Sequence, residues 1–273
     1  MNLRNIIKLF IPKIILILYN YFFASIRYTK EYSNWKSAEE NSLTYNNSIF
    51  FEKLESNYDN LIKKNDYKYE RDTVLFKEIQ YSIPLLVFFF QIQKKIEDFD
   101  ILDFGGSLGS TYYQNKELFK NTKLKWGIVE QSKIVDLGKK KFEINPIKFF
   151  YSIQECIANN NPNVAIFSSV VQYLDNFENY IKDLEQSNIK YLILDRIPLT
   201  NLSKNIITVQ ITSKRIYKSS YPITFFSRKI LMNFLEKNWD LVSELDSEID
   251  GKNFKYRGIN IIYKAMLLKK RNV

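Results

Sequence analysis

Ile101-Leu102-Asp103-Phe104-Gly105-Gly106-Ser107-Leu108-Gly109-Ser110-Thr111 carries the reading of the fold. An apolar strand runs into a glycine-rich turn, and a helix begins near Ser110. Glycine allows a positive φ and close approach of backbone to a ligand. A helix N-terminus offers free N–H groups and positive potential to an anion. Working outward, the chain alternates strand-like and helical runs. Strands are expected over Asp100–Phe104, Lys125–Glu130, Ile147–Tyr151, Val164–Ser168 and Tyr191–Asp195, with helices such as Ser132–Phe142 and Phe177–Gln186 between them. That rhythm predicts a parallel α/β sheet with right-handed crossovers. Later runs, Ile206–Ile211, Leu241–Leu245 and Gly258–Leu268, are further strands around a helix over Ser227–Asn238. The last two, joined by a polar turn near Asp250-Gly251, predict an antiparallel hairpin at the sheet edge. The fold class is therefore a Rossmann-like sheet, mostly parallel, of about seven strands.

The loop discriminates between ligands. No Gly-Lys-Ser/Thr follows it, which excludes a Walker loop. Ser107 stands where a dinucleotide fingerprint needs its second glycine. Asp103 ends the strand two residues before Gly105, where a carboxylate would repel a pyrophosphate but suit the cationic side of S-adenosylmethionine. The cofactor is read as S-adenosyl-L-methionine, held by Asp103, Phe104, Gly105, Gly106, Ser107 and Gly109. Glu130 closes the second strand, where an acid binds ribose hydroxyls or is an ordinary exposed acid. Ser152 and Ile153 follow the third strand at the adenine edge, or are turn and core. Ser168, Ser169 and Gln172 follow the fourth; Ser169 is either a ligand contact or a helix cap.

Composition removes other chemistries. The 273 residues include no histidine and one cysteine, Cys156, so a zinc site, a Ser-His or Cys-His relay and an internal disulfide are not expected. The net charge of +10 is concentrated in residues 1–37, 204–237 and 264–273, which favours an anionic partner or is a soluble basic surface. Residues 1–30 read as an apolar, basic helix. Its uninterrupted run Ile14–Ile26 is shorter than the ~20 residues of a membrane span. It either lies in a membrane interface, at the inner face of a cytoplasmic protein's membrane, or packs on the protein or a second subunit. Residues 31–95 read as a helical cap: Ala38–Leu54 broken near Thr44–Asn47, Asp72–Tyr81, and a helix starting at Pro84 that is apolar on all sides and expected to be buried. Residues 96–273 form the cofactor-binding domain.

Long stretches resemble a known family. They are Glu70–Phe76, Tyr81–Leu86, Leu102–Tyr113, Ile128–Gln131, Tyr151–Ile153, Ser168–Leu174, Asp195-Arg196 and Ser220–Pro222. The chain is similar over these to bacterial S-adenosylmethionine-dependent methyltransferases often encoded among surface-polysaccharide genes. The resemblance implies the fold, the cofactor, Gln131 as a further cofactor contact, and a cytoplasmic role in decorating a sugar or glycan precursor, anionic or lipid-linked.

A methyl group on a sulfonium is already activated, so alignment and exclusion of water supply much of the rate. An oxygen acceptor also loses a proton. Without histidine, Asp195 at the end of the fifth strand is the first candidate base; Tyr221 is a further catalytic candidate that could also bind an anionic group of the acceptor. Arg71 and Arg196 are candidates for binding an acceptor carboxylate or phosphate. The competing readings are a methyltransferase acting on nucleic acid or another small molecule, and a non-catalytic S-adenosylmethionine-binding scaffold. No RNA-binding module or Asn/Asp-Pro-Pro-Tyr motif supports nucleic acid.

Overall fold

The computed structural model describes residues 26–43, 51–57 except 53, 67–71, 74–212, 219–247 and 253–271. In chain order the elements are β1 (Arg27–Tyr28), α1 (Trp35–Glu39), β2 (Tyr69–Arg71), β3 (Val74–Phe76), α2 (Ile83–Gln93), β4 (Phe99–Phe104) and α3 (Ser110–Asn115). β5 (Leu124–Val129), α4 (Ser132–Lys141), β6 (Ile147–Phe150), α5 (Ile153–Asn160), β7 (Val164–Ser168) and α6 (Phe177–Glu185) follow. The remainder is β8 (Tyr191–Thr200), β9 (Ile206–Ile211), β10 (Ser220–Ser227), α7 (Arg228–Leu235), β11 (Trp239–Asp246), β12 (Phe254–Tyr256) and β13 (Ile259–Lys270).

The described residues fall into two compact units. The smaller contains 26–43, 207–212 and 219–222. There β1 pairs antiparallel with β9, Arg27 opposite Ile211 and Tyr28 opposite Gln210. Tyr32 N–H donates to the Ile207 carbonyl at 2.8 Å, extending the pairing. Asn34 caps α1 by accepting from the Ser37 amide at 2.9 Å. Of the helix expected over residues 1–30, Arg27–Tyr28 are thus a strand, because main-chain partners on β9 are present; residues 1–25 lie outside the described residues.

The larger unit is built on strands in the order β6-β5-β4-β7-β8-β13-β11. Strands β6 to β8 run parallel, and β13 is antiparallel to both its neighbours. The expected C-terminal hairpin is therefore present. Its anticipated turn near Asp250-Gly251 lies outside the described residues, and β12 is an additional short strand on β13. Each central strand is buried on both faces, which explains why β7 reads as a continuous apolar run. Phe177, Ile181 and Leu184 recur at helical spacing on α6 and bury one stripe against this sheet.

Strand β8 continues beyond its expected end at Asp195. Against β13, Leu194 faces Met266 and Ile197 faces Lys264, so Asp195 and Arg196 together oppose Ala265. This is a β-bulge, with Arg196 at φ 57°. Leu192, Leu194, Ile197 and Leu199 all enter one core cluster, so the side-chain alternation changes phase at the bulge.

Two expectations for residues 31–95 fail. The helix over Asp72–Tyr81 is replaced by β3, which pairs antiparallel with β2, and the Tyr69 ring stacks on Phe76 at 4.8 Å. Val74, Leu75, Phe76 and Ile79 suit either period over so short a window, and the cross-strand aromatic pair decides. Helix α2 forms as expected from Pro84, but Ile83 and Phe90 are 63% and 53% exposed, so burial is one-sided.

Candidate active site

The site residues gather at the C-terminal ends of β4, β5, β7 and β8, where open parallel sheets bind ligands. Gly105 leaves β4 with φ 72°, Ser107 follows at φ 52° and Gly109 at φ 102°. Three positive φ values in five residues curl the loop over the strand end and start α3. A Cβ on Gly105 would sit 2.9 Å from Val170 Cγ2, so this glycine answers to packing and backbone conformation. A Cβ on Gly106 would come 2.6 Å from Asp103 Oδ2: the Asp103 carboxyl lies directly against the loop backbone.

Asp103 is buried, and its Oδ2 accepts from Trp126 Nε1 at 3.1 Å. Burial holds its pKa up to about 7; the nearby Glu130 charge adds to that, while hydrogen bonds from Trp126 and Thr111 and the Arg196 charge oppose it. Glu130 follows β5 and accepts from the Ser107 amide at 3.1 Å and the Gln131 amide at 2.9 Å. Desolvation raises its pKa against those two bonds. One acid thus lies under the loop and the other clips its tip.

The ends of β7 and β8 share a second network. Ser168 Oγ donates to Asp195 Oδ2 at 2.8 Å, and Ser247 Oγ donates to Asp195 Oδ1 at 2.8 Å. Arg196 Nη2 donates to Ser168 Oγ at 2.9 Å, and Arg196 Nε lies 3.4 Å from Asp195 Oδ2. Ser169, at φ 59°, donates its amide to the Asp195 carbonyl at 2.8 Å. Ser107, Ser169 and Arg196 thus set non-glycine residues with φ above zero at three adjacent strand ends, a conformation that costs energy and that surrounding packing must hold in place. Gln172 Nε2 donates to Ser169 Oγ at 3.2 Å, while its buried Oε1 has no hydrogen-bond partner.

This geometry revises the expectation that Asp195 takes a proton directly. A general base must reach that proton, whereas Asp195 is buried and both its oxygens accept from serine hydroxyls. Ser247, from the end of β11, was not found in the sequence; only the β11–β13–β8 pairing brings it to Asp195. Ser152 Oγ accepts from the Glu155 amide at 3.1 Å and caps α5, and Ile153 is buried in the core. Phe104 stacks on Phe167 at 4.8 Å. Gln131 is the N-cap residue of α4. Arg71, on β2, lies over the Phe76 ring at 5.2 Å. Tyr221 belongs to the smaller unit, where its hydroxyl accepts from Gln210 Nε2 at 3.0 Å.

Elsewhere, clefts of about 360 and 660 Å³ open at the opposite ends of β5 and β6, around Lys125, Asn145 and Pro146. Among the described residues no His, Cys, Asp and Glu cluster could hold a metal ion, and no helix is long and apolar enough to cross a membrane. Two of the basic residues near 264–271 face acids: Lys264 pairs with Asp246 at 2.7 Å and Arg271 with Asp240 at 2.7 Å.

The strand order, the antiparallel β13 between β8 and β11, and a glycine loop joining β4 to α3 define a Rossmann-like α/β sheet, mostly parallel, with a C-terminal antiparallel pair. No protein-family model matches the chain, and no curated protein matches it. Among solved structures it is similar to the N-terminal domain of EvdMO1, determined in the presence of S-adenosylhomocysteine and D-fucose. That likeness has 10% identity and a TM-score of 0.49, covering 82% of this chain and 100% of that one. An S-adenosylmethionine-dependent methyltransferase from Clostridium acetobutylicum aligns at 13% identity and TM-score 0.48, over 80% of this chain and 98% of that one. Coclaurine N-methyltransferase bound to N-methylheliamine and S-adenosylhomocysteine aligns at 12% identity and TM-score 0.45, over 89% and 84%.

Proposed function

We propose that the protein is an S-adenosylmethionine-dependent methyltransferase that modifies a sugar or glycan precursor on O or N. The observation that carries the cofactor is the pair of acids at adjacent strand ends, Asp103 beneath the glycine loop and Glu130 at its tip. The donor set fits an adenosyl amino acid: Glu130 suits ribose hydroxyls, Asp103 suits a cation, and the orphaned Gln172 Oε1 awaits a donor. A pyrophosphate would bring no cation to Asp103 and would be repelled by the Glu130 carboxylate. When bound, the cofactor supplies a methyl group already activated as a sulfonium.

The chain's own contribution is alignment and water exclusion. Asp195, Ser168 and Ser247 are positioning residues that hold the Arg196 bulge, and Arg196 is the candidate for an anionic group on the acceptor. Support for a sugar acceptor comes from the sequence likeness to enzymes encoded among surface-polysaccharide genes. Residues 1–25, with Arg4, Lys8 and Lys13, support contact with an anionic membrane surface. Sedimentation of the full chain with anionic vesicles, lost at high salt, tests that contact.

Calorimetry with S-adenosylmethionine and with NAD+ tests the cofactor; heat with NAD+ alone rejects it. Incubation with a panel of nucleotide sugars and sugar phosphates, read by mass spectrometry, tests the acceptor. Methylation of RNA with none of the sugars would favour the nucleic-acid reading.

A further inference from the structure

Asp103 is surrounded in a way few carboxylates tolerate. It is buried under the loop, and its hydrogen-bond donors, the Trp126 indole and the Thr111 hydroxyl, are neutral. The neighbouring strand β7 sets apolar Ile166 opposite it, and β5 sets Ile128. Two charged groups act on it. Glu130, after β5, carries the same sign, and Arg196, on β8, carries the opposite sign but lies within reach of the Asp195 carboxylate and bonds Ser168. A buried carboxylate without a cation of its own is relieved by taking a proton.

The two adenosyl ligands differ in charge at the sulfur. S-adenosylmethionine carries an ammonium, a sulfonium and a carboxylate; S-adenosylhomocysteine lacks the sulfonium charge and is neutral overall. We propose that Asp103 is a charge-compensating residue: it holds a proton in the free and product-bound protein, releases it to water when the cationic donor enters, and so distinguishes donor from product. The proposal rests on the cofactor reading above. In the transfer step the carbon–sulfur bond breaks and its electron pair stays on sulfur. The methyl carbon bonds to the acceptor oxygen or nitrogen, and the acceptor gives up one proton. As the sulfonium charge disappears, Asp103 takes one proton from water, so the charge of the site is the same before and after turnover. The raised pKa of Asp103, about 7, places the exchange at neutral pH.

Calorimetry on the full chain in buffers of differing ionisation enthalpy, between pH 6 and 8, tests this without turnover. S-adenosylmethionine should release close to one proton at pH 6, and its affinity should rise up to about tenfold per pH unit until pH 7 and then level. S-adenosylhomocysteine should release far fewer protons and show a nearly flat affinity. Asp103→Asn should bind both ligands with no difference in proton release. Equal proton release by the two ligands on the unaltered protein overturns the proposal while leaving the cofactor intact, and so does proton release that survives in Asp103→Asn. Should the variant fail to fold, the comparison of the two ligands on the unaltered chain decides alone. Absence of binding by either ligand rejects the cofactor reading itself.

Discussion

Replacing Asp195 by Asn should cost stability before it costs chemistry. The carboxylate accepts two serine hydroxyl bonds at 2.8 Å and faces the Arg196 guanidinium at 3.4 Å. An amide keeps one acceptor, turns the other into a donor and removes the counter-charge. The hydroxyl of Ser168 or Ser247 can rotate to accept, so hydrogen bonding loses about 1 kcal/mol. Arg196, 15% exposed at its side chain, is then left mostly buried without that anion, which adds about 1–3 kcal/mol. The sum is about 2–4 kcal/mol, a fall in Tm on the order of 10 °C for a domain of this size. Urea unfolding at constant m reads the difference, and Ser247→Ala, losing one hydroxyl bond, should cost only about 1 kcal/mol. If Asp195→Asn unfolds at the same urea concentration as the parent yet turns over at least about 100-fold more slowly, Asp195 is the base and the positioning argument is wrong.

Stability should also respond to pH through Asp103. Its folded pKa, about 7, exceeds the ordinary 3.8, so its contribution is whole below pH 4 and is lost as pH climbs to 7. The slope is at most about 1.4 kcal/mol per pH unit, and urea titrations at pH 5 and 8 should show it shrinking in Asp103→Asn. Gly106→Ala sets a methyl 2.6 Å from Asp103 Oδ2 and should displace the loop, abolishing cofactor binding in calorimetry; a normal isotherm would contradict the close approach. Gly105→Val meets Val170 at 2.9 Å in a positive-φ position, so its loss should appear as a lower Tm even without ligand. Glu130→Gln should weaken cofactor binding by about 1–3 kcal/mol without a comparable fall in Tm.

Much of the larger unit was legible because its signals are local. An apolar run closed by Asp103 and three glycines needs no partner to be recognised, and β4 to β7 fall within a residue or two of their expected limits. What escaped depends on distant neighbours. The bulge at Arg196 exists because β13 runs alongside β8, and no feature of Asp195-Arg196-Ile197 announces it. Ser247 becomes a site residue only through the same pairing. The basic charge around Lys264 and Arg271 suggested an anionic partner, but Asp246 and Asp240, across the β11–β13 pairing, answer it. Over Val74–Phe76 the difficulty was length, since three residues cannot separate a period of 2 from one of 3.6.

The bulge makes β8 behave like a message with one extra letter. Up to Leu194 the even positions point into the core cluster, and from Ile197 onward the odd positions do. Losing Arg196 would restore regular alternation and leave Ile197 and Leu199 in phase with Leu192 and Leu194, so the apolar pattern would survive while the guanidinium between Asp195 and Ser168 would not. The strand's apolar pattern therefore does not need the strained arginine: it is an addition to a sequence already in register with its core, and what it supplies is a charged group beside Asp195 and Ser168.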